Sequence, residues 1–286
     1  MKKKTMPFSR DKLNAMIKDY PTPFHIYDEK KMRENARTLI RAFSWNEGFR
    51  EYFAVKAAPN PFLMKILAAE GFGADCSSLP ELIIAERTGV TGENIMFTSN
   101  DTPAVEFVEA EKLGALINLD DISHIPFLEH CAGLPDIICC RYNPGPLKKG
   151  NLIIGHPEEA KFGFTREQIF TGYRMLRDKG IRRFGIHTMV ASNELDSQYF
   201  VETAEILFTL IAELSRELGI HFEFANIGGG LGIPYRQDQE PLNLKSISDG
   251  IRARYQTIIE NNGLAPVKLF MECGRFITGP YGYLVA

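Results

Sequence analysis

The sequence predicts an α/β protein, a (β/α)8 barrel of the TIM type, on three observations. Short apolar strands alternate with helical patterns of roughly 10–20 residues, which implies parallel βαβ units. Eight such strands fall between positions 51 and 271, the number that closes a barrel. The glycine-rich loop follows the seventh strand, whereas an open doubly wound sheet usually carries it after the first.

The elements follow in order. Residues 51–57 (EYFAVKA) read as a short buried strand, and 61–70 as a helix closed by Gly71. Residues 74–77 form the second strand and 79–88 its helix; 94–98 and 103–113 form the third pair. Strand 115–119 leads to helix 122–130, and strand 136–142 to a long Pro/Gly/Lys-rich loop and helix 165–179. Strand 183–187 is followed by a long helix, 197–218. Strand 222–227 precedes a helix within 247–261, and 267–271 is the eighth strand. Outside this count, 23–27 reads as a strand and 30–43 as a helix. The end, 281–286 (YGYLVA), reads as the start of a strand with nothing to pair with, as if the chain were cut at a domain boundary.

Composition narrows the functional classes. A chain of 286 residues can bury a sizeable core, and 44% hydrophobic with 24% charged residues is an ordinary globular balance. A formal net charge of −3 argues against a nucleic-acid partner and against a membrane surface. The basic start, MKKK, is followed by no apolar segment of a signal peptide, and no window approaches a membrane span. The five cysteines, odd in number and without C-x-x-C spacing, imply neither a disulfide framework nor a zinc site. A reducing, cytoplasmic compartment and no metal are expected.

Active residues of such barrels sit at the C-terminal ends of the strands. There the sequence offers Lys56, then 75–78, Arg141, His187 and Ser192, 228–230, and 272–275. In YFAVKAA, Lys56 alternates away from Phe53 and Val55 and would point into the barrel. Burial would lower its pKa toward the neutral amine that Schiff-base chemistry needs; the alternative is a lysine snorkelling to the rim. Gly228, Gly229 and Gly230 permit backbone N–H groups to converge on an anion, after the strand where these barrels often hold phosphate; the alternative is a plain turn. Glu272 and Arg275 could serve a pyridine nitrogen and a carboxylate or phosphate, or form a rim ion pair. His187 could stack on a ring or shuttle protons, or be simply hydrogen-bonded. Asp75 and Glu81 could orient polar neighbours, and Cys76 and Cys273 could be small buried hydrophobes.

Taken together and in order, these motifs resemble the diaminopimelate/ornithine/arginine decarboxylase family, from about Pro21 to the end. YFAVKA matches its lysine motif, GADCSS (73–78) with Glu81 the region after the second strand, and RYNPG (141–145) with KFG (161–163) the fifth. IGGGLGIPY (227–235) matches its phosphate loop, and ECGR (272–275) its Glu-Pro-Gly-Arg, with Cys273 in place of proline. The resemblance implies a pyridoxal 5′-phosphate (PLP) barrel followed by a β-domain. Lys56 would be the Schiff-base lysine and Glu272 would face the pyridine nitrogen. Gly228, Gly229, Gly230, Ser192 and the backbone near Gly274 would hold the phosphate, and Arg275 would contact substrate or phosphate.

Two departures stand out. The family's ring-stacking histidine aligns with Met189, so Met189 or His187 would take that slot. The β-domain, which brings the proton donor and part of a dimer interface, is missing. Residues 1–45 would then be an N-terminal segment contacting that domain, 46–275 the barrel, and 276–286 the start of the β-domain. The expected reaction of the intact protein is decarboxylation of meso-diaminopimelate to L-lysine by a homodimer, with little activity from this chain alone. Ornithine, arginine or carboxynorspermidine are alternative substrates. A non-catalytic PLP-binding barrel is the alternative of another class; the 23–27 strand and the unpaired last strand weigh against it, because a self-sufficient barrel would not need them.

Overall fold

The computed structural model describes residues 6–150, 153 and 155–286. Among the described residues ten strands follow in order: β1 (Phe24–Tyr27), β2 (Arg50–Ala54), β3 (Gly73–Cys76), β4 (Ile95–Thr98), β5 (Leu116–Leu119), β6 (Ile137–Arg141), β7 (Arg183–His187), β8 (Phe222–Asn226), β9 (Lys268–Met271) and β10 (Gly282–Val285). The helices are α1 (Arg10–Asp19), α2 (Glu29–Ala42), α3 (Pro61–Ala68), α4 (Leu79–Arg87), α5 (Ala104–Lys112), α6 (His124–Cys131), α7 (Arg166–Asp178), α8 (Ser197–Leu218), α9 (Leu244–Arg254) and α10 (Arg275–Thr278). Strands β2 to β9 close, in sequence order and all parallel, into a barrel. The last strand returns to the first through Arg50↔Phe270 and Glu51↔Met271.

Alternation along each strand sorts the side chains into two sets. Phe53, Ala74, Phe97, Ile117, Ile138, Ile186 and Leu269 join the large core between strands and helices. Tyr52, Met96, Leu116, Ile137, Cys139, Phe224 and Phe270 form a separate cluster that fills the barrel floor. Phe224 and Phe270 stack there at 4.5 Å. Gly185 makes room for them, since a Cβ at that position would stand 2.0 Å from the Phe224 ring. One step further toward the C-terminal ends, the same inward positions turn polar: Asp75, Thr98, Asn118, Arg141, His187, Asn226 and Glu272. The barrel thus has a packed apolar floor beneath a polar mouth.

Helix α2 packs on both α3 and α9 and buries Met32, Ala36 and Leu39. It thus closes the helical ring at the seam where β9 lacks a long helix of its own. Local signals start the helices: Asn60 accepts from Phe62 N–H before α3, and Thr165 with Gln168 forms a capping box on α7.

Four expectations are corrected. Strand β2 ends at Ala54, and Lys56 stands on a single 3-10 turn, Val55–Ala57, because the backbone must bend at the barrel rim. Helix α9 begins earlier than expected, at Leu244, where Asn243 accepts from Ser246 N–H. Helix α1, not foreseen in the sequence, is capped by Ser9 and buries none of its residues. Finally, the last strand is not unpaired: β10 runs antiparallel to β1, with Phe24 opposite Val285 and Tyr27 opposite Gly282. These segments lie some 260 residues apart, and no local pattern reports a pairing across that distance.

Candidate active site

The polar mouth gathers residues from the ends of all eight barrel strands. At one side, Lys56 Nζ lies 3.1 Å from Asp75 Oδ2. The lysine side chain is 59% exposed while that of Asp75 is 2% exposed, so the amine opens to the mouth above a buried acid. Contrary to the expectation of a depressed pKa, Asp75 holds the Lys56 ammonium above its ordinary value, with Glu272 adding to it and outweighing burial. A paired amine keeps its proton because the carboxylate favours the charged form. Burial and the Glu272 charge push the Asp75 carboxyl the other way, up to about 7, against the pull of Lys56. Asp75 Oδ1 has no hydrogen-bond partner.

Across the mouth, Glu272 is held rigidly. Its Oε2 lies 3.0 Å from His187 Nε2 and its Oε1 accepts from Asn226 Nδ2 at 2.7 Å. Burial works against the Glu272 carboxylate, yet His187, Lys56 and Asn226 together hold it below the usual carboxylate range. The acid is therefore an anion fixed in orientation. His187, 1% exposed, is spent on Glu272, with its Nδ1 left without a partner.

The glycine run forms the third side. Gly228 (φ +71°) and Gly230 (φ +91°) lie in the left-handed region that only glycine adopts at no cost. Each of the three is closely approached: a Cβ at Gly228 would meet Thr188 O at 2.4 Å, at Gly229 Glu272 O at 2.2 Å, and at Gly230 Ala191 O at 2.5 Å. Gly228 N–H donates to Asn226 Oδ1 at 2.9 Å. Gly229 N–H donates to Met189 Sδ at 3.2 Å, a weak acceptor. Met189 thus packs on the glycine loop, and Ser192 lies half-buried in the segment that follows β7. Gly274 lies where a Cβ would strike Ala57 at 2.6 Å, which brings the 272–275 turn against the Lys56 turn. Arg275 reaches outward to Tyr235 Oη at 2.7 Å.

Lys56, Asp75, Glu272, His187 and the glycine loop are therefore brought together, with Met189 on the loop and Arg275 at its edge. Cys76 and Cys273 are buried, where burial raises both thiols, and Glu81 accepts from Ser77 N–H at 2.6 Å. Sequence reasoning missed Asn226, which serves both Glu272 and Gly228; its inward register two residues beyond Phe224 could have revealed it. It also missed Asp120, which pairs with Arg141 at 3.0 Å. A cavity of about 860 Å³ between the 142–147 loop and α8 is lined by none of the candidate residues. No group of three or more His, Cys, Asp or Glu among the described residues could hold a metal.

Chemically, the mouth offers an amine, a fixed carboxylate opposite it, and a glycine loop whose backbone comes close enough for an anion. Partnerless buried atoms, Asp75 Oδ1 and His187 Nδ1, lie among them. This donor set fits a phosphorylated pyridine aldehyde.

Comparison with known proteins agrees. Residues 29–279 match the family model described as pyridoxal-dependent decarboxylase, pyridoxal binding domain. Protein TabA of Pseudomonas amygdali pv. tabaci is 42% identical over 274 residues, 96% of this chain and 64% of the relative. Diaminopimelate decarboxylase of Methanothermobacter thermautotrophicus is 34% identical over 270 residues, covering 93% and 63%. The crystal structure of diaminopimelate decarboxylase from M. jannaschii in complex with L-lysine superposes with a TM-score of 0.85 at 26% identity, over 94% of this chain and 64% of that one. The chain thus spans a little under two thirds of the length of the curated relatives it matches. By the family model over residues 29–279 and the likeness of its barrel to solved relatives, the chain belongs to the pyridoxal-dependent decarboxylase family, within its pyridoxal-binding domain.

Proposed function

We propose that the protein is a PLP-dependent amino-acid decarboxylase acting on meso-diaminopimelate to give L-lysine, as a homodimer. The observation that carries the PLP reading is the opposition of Lys56, paired with Asp75, to a Glu272 anion fixed by His187 and Asn226. When bound, PLP supplies a sink for the electron pair left as the substrate carboxylate departs as CO2.

The chain's own residues do the rest. Lys56 would hold the aldehyde end, and Asp75, paired with it at 3.1 Å, would orient the amine. Glu272, kept ionised by its two partners, would keep a proton on the ring nitrogen and sustain the sink. His187 acts by holding Glu272. Gly228 to Gly230, Ser192 and the backbone near Gly274 would hold the phosphate, with the Met189 thioether yielding the Gly229 N–H. Arg275, on the open side, would meet substrate or phosphate.

Support for the substrate comes from the relatives named diaminopimelate decarboxylase; ornithine, arginine and carboxynorspermidine are tested beside it. A second reading, PLP binding without decarboxylation, gains from one observation. Strand β10 is paired with β1, so the last strand is not an unpaired edge that weighs against a self-sufficient barrel.

The test is the near-visible spectrum of the protein with PLP, before and after borohydride, for wild type and Lys56→Ala, followed by CO2 release from each amino acid. A band that borohydride converts to a covalent adduct in wild type alone, with CO2 from diaminopimelate, supports the proposal. An adduct without CO2 from any of the four favours the binding protein, and no adduct refutes the PLP reading.

A further inference from the structure

Glu51 is 1% exposed and stands on β2, the strand that leads into Lys56. Tyr52 faces the barrel floor, so Glu51 lies on the other side of the strand. Its Oε1 accepts from the backbone N–H of Cys273, and its Oε2 has no hydrogen-bond partner. A buried acid with one oxygen unused is costly, and it sits at an informative place. The β2–β9 seam that closes the barrel pairs at only two positions, Arg50 and Glu51. Toward the barrel mouth the seam continues through the Glu51 carboxyl on Cys273 N–H, the Ala54 N–H donating to Cys273 O at 3.4 Å, and Gly274 packed on Ala54 and Ala57. Cys273 follows Glu272 directly, and Ala54 and Ala57 bracket Lys56.

We propose that Glu51 is a positioning residue of the site. Through the Cys273 N–H it sets the turn that carries Glu272 against the strand end that carries Lys56, and so the spacing of the two groups that grip opposite ends of the cofactor. The inference rests on the roles given to Lys56 and Glu272 above. Burial raises the Glu51 carboxyl, against the Cys273 hydrogen bond, and the neighbouring Glu272 and Asp75 charges raise it further. The work of Glu51 is that of a hydrogen-bond acceptor toward the Cys273 N–H. A glutamine offers the same acceptor at the same reach; a leucine fills the volume without it.

The experiment uses Glu51→Gln and Glu51→Leu in the whole chain with two readouts. The first is hydrogen exchange of the Cys273 amide without cofactor. It accelerates by about tenfold or more in E51L and stays within about threefold of wild type in E51Q. The second is the pH titration of the near-visible band with PLP bound: E51L moves toward the behaviour of Glu272→Gln, and E51Q keeps the wild-type midpoint. A residue that served stability alone would lower the melting temperature and leave that midpoint unmoved. In a Cys273→Pro background, which has no N–H to hold, E51L adds nothing to the band shift.

Wild-type exchange at Cys273 in E51L, an unmoved band in E51L, damage from E51Q equal to that from E51L, or an additive effect with C273P each overturns the proposal. If E51L fails to fold, C273P alone decides: a band moved toward that of E272Q supports the tie, and a wild-type band overturns it. If wild type takes up no PLP, the cofactor reading falls, and Cys273 exchange still decides whether Glu51 holds the turn.

Discussion

Gly229→Ala tests whether the glycine loop and the Glu272 turn pack as described. Gly229 does not lie in the left-handed region, so alanine brings no backbone penalty of that kind and the effect is steric. The added Cβ would stand 2.2 Å from the Glu272 carbonyl oxygen and 2.9 Å from its carbon. Reaching the 3.0 Å below which real Cβ contacts essentially do not occur requires a separation of about 0.8 Å. Neither side yields easily. Glu272 N–H is bonded to Gly228 O at 2.8 Å, and its side chain is held by His187 and Asn226. Overpacking of this kind costs about 2 kcal/mol, which in a domain of this size lowers Tm by roughly 4–8 °C. Because the displaced residue is the proposed ring partner, PLP affinity falls as well, by about tenfold for each 1.4 kcal/mol lost in the bound state. Thermal unfolding of the cofactor-free chain and a PLP titration followed in the near-visible measure the two effects. A melting temperature within about 1 °C of wild type, with PLP binding unchanged, would refute the packing argument.

Two further predictions concern the acids of the mouth. Asp75 ionises near 3.8 when unfolded and near 7 when folded, so the folded chain binds the extra proton between these values. Its contribution is present below about pH 4 and lost as pH rises toward about 7. Asp75→Asn should flatten the dependence of urea-unfolding stability across that window; an identical slope in both proteins would show that Asp75 is not the group responsible. Asn226→Ala removes the 2.7 Å bond to Glu272 and the acceptor of Gly228 N–H, leaving buried groups unpaired. We expect a loss of about 1–3 kcal/mol in denaturant unfolding, and weaker PLP binding in titration. Destabilisation with unimpaired PLP binding would separate Asn226 from the function of Glu272.

The lysine and glycine motifs were legible because each combines a local strand pattern with a residue type of distinctive chemistry. Lys56 was identified correctly as a residue of the mouth and wrongly as a lysine of depressed pKa. The strand pattern could not show that β2 ends at Ala54, nor that Asp75 stands 3.1 Å from the amine. His187 carried no signal of its partner, because Glu272 lies 85 residues away. Glu51 reads in sequence as an ordinary polar residue at a strand start, and only the closing seam shows it buried against Cys273.

What the sequence by itself determined was the order of elements, the eight-strand count, and which residues stand at the strand ends. These follow from periodicities of two and 3.6 residues, which act within a few positions along the chain. What only the tertiary structure decided was pairing: β1 with β10, α2 in the gap of the helical ring, Asp75 with Lys56, and His187 and Asn226 on Glu272. Such pairs depend on the register of a closed parallel barrel. That register brings side chains far apart in the chain within hydrogen-bond distance and sets, by burial and neighbouring charge, which of them keep their protons.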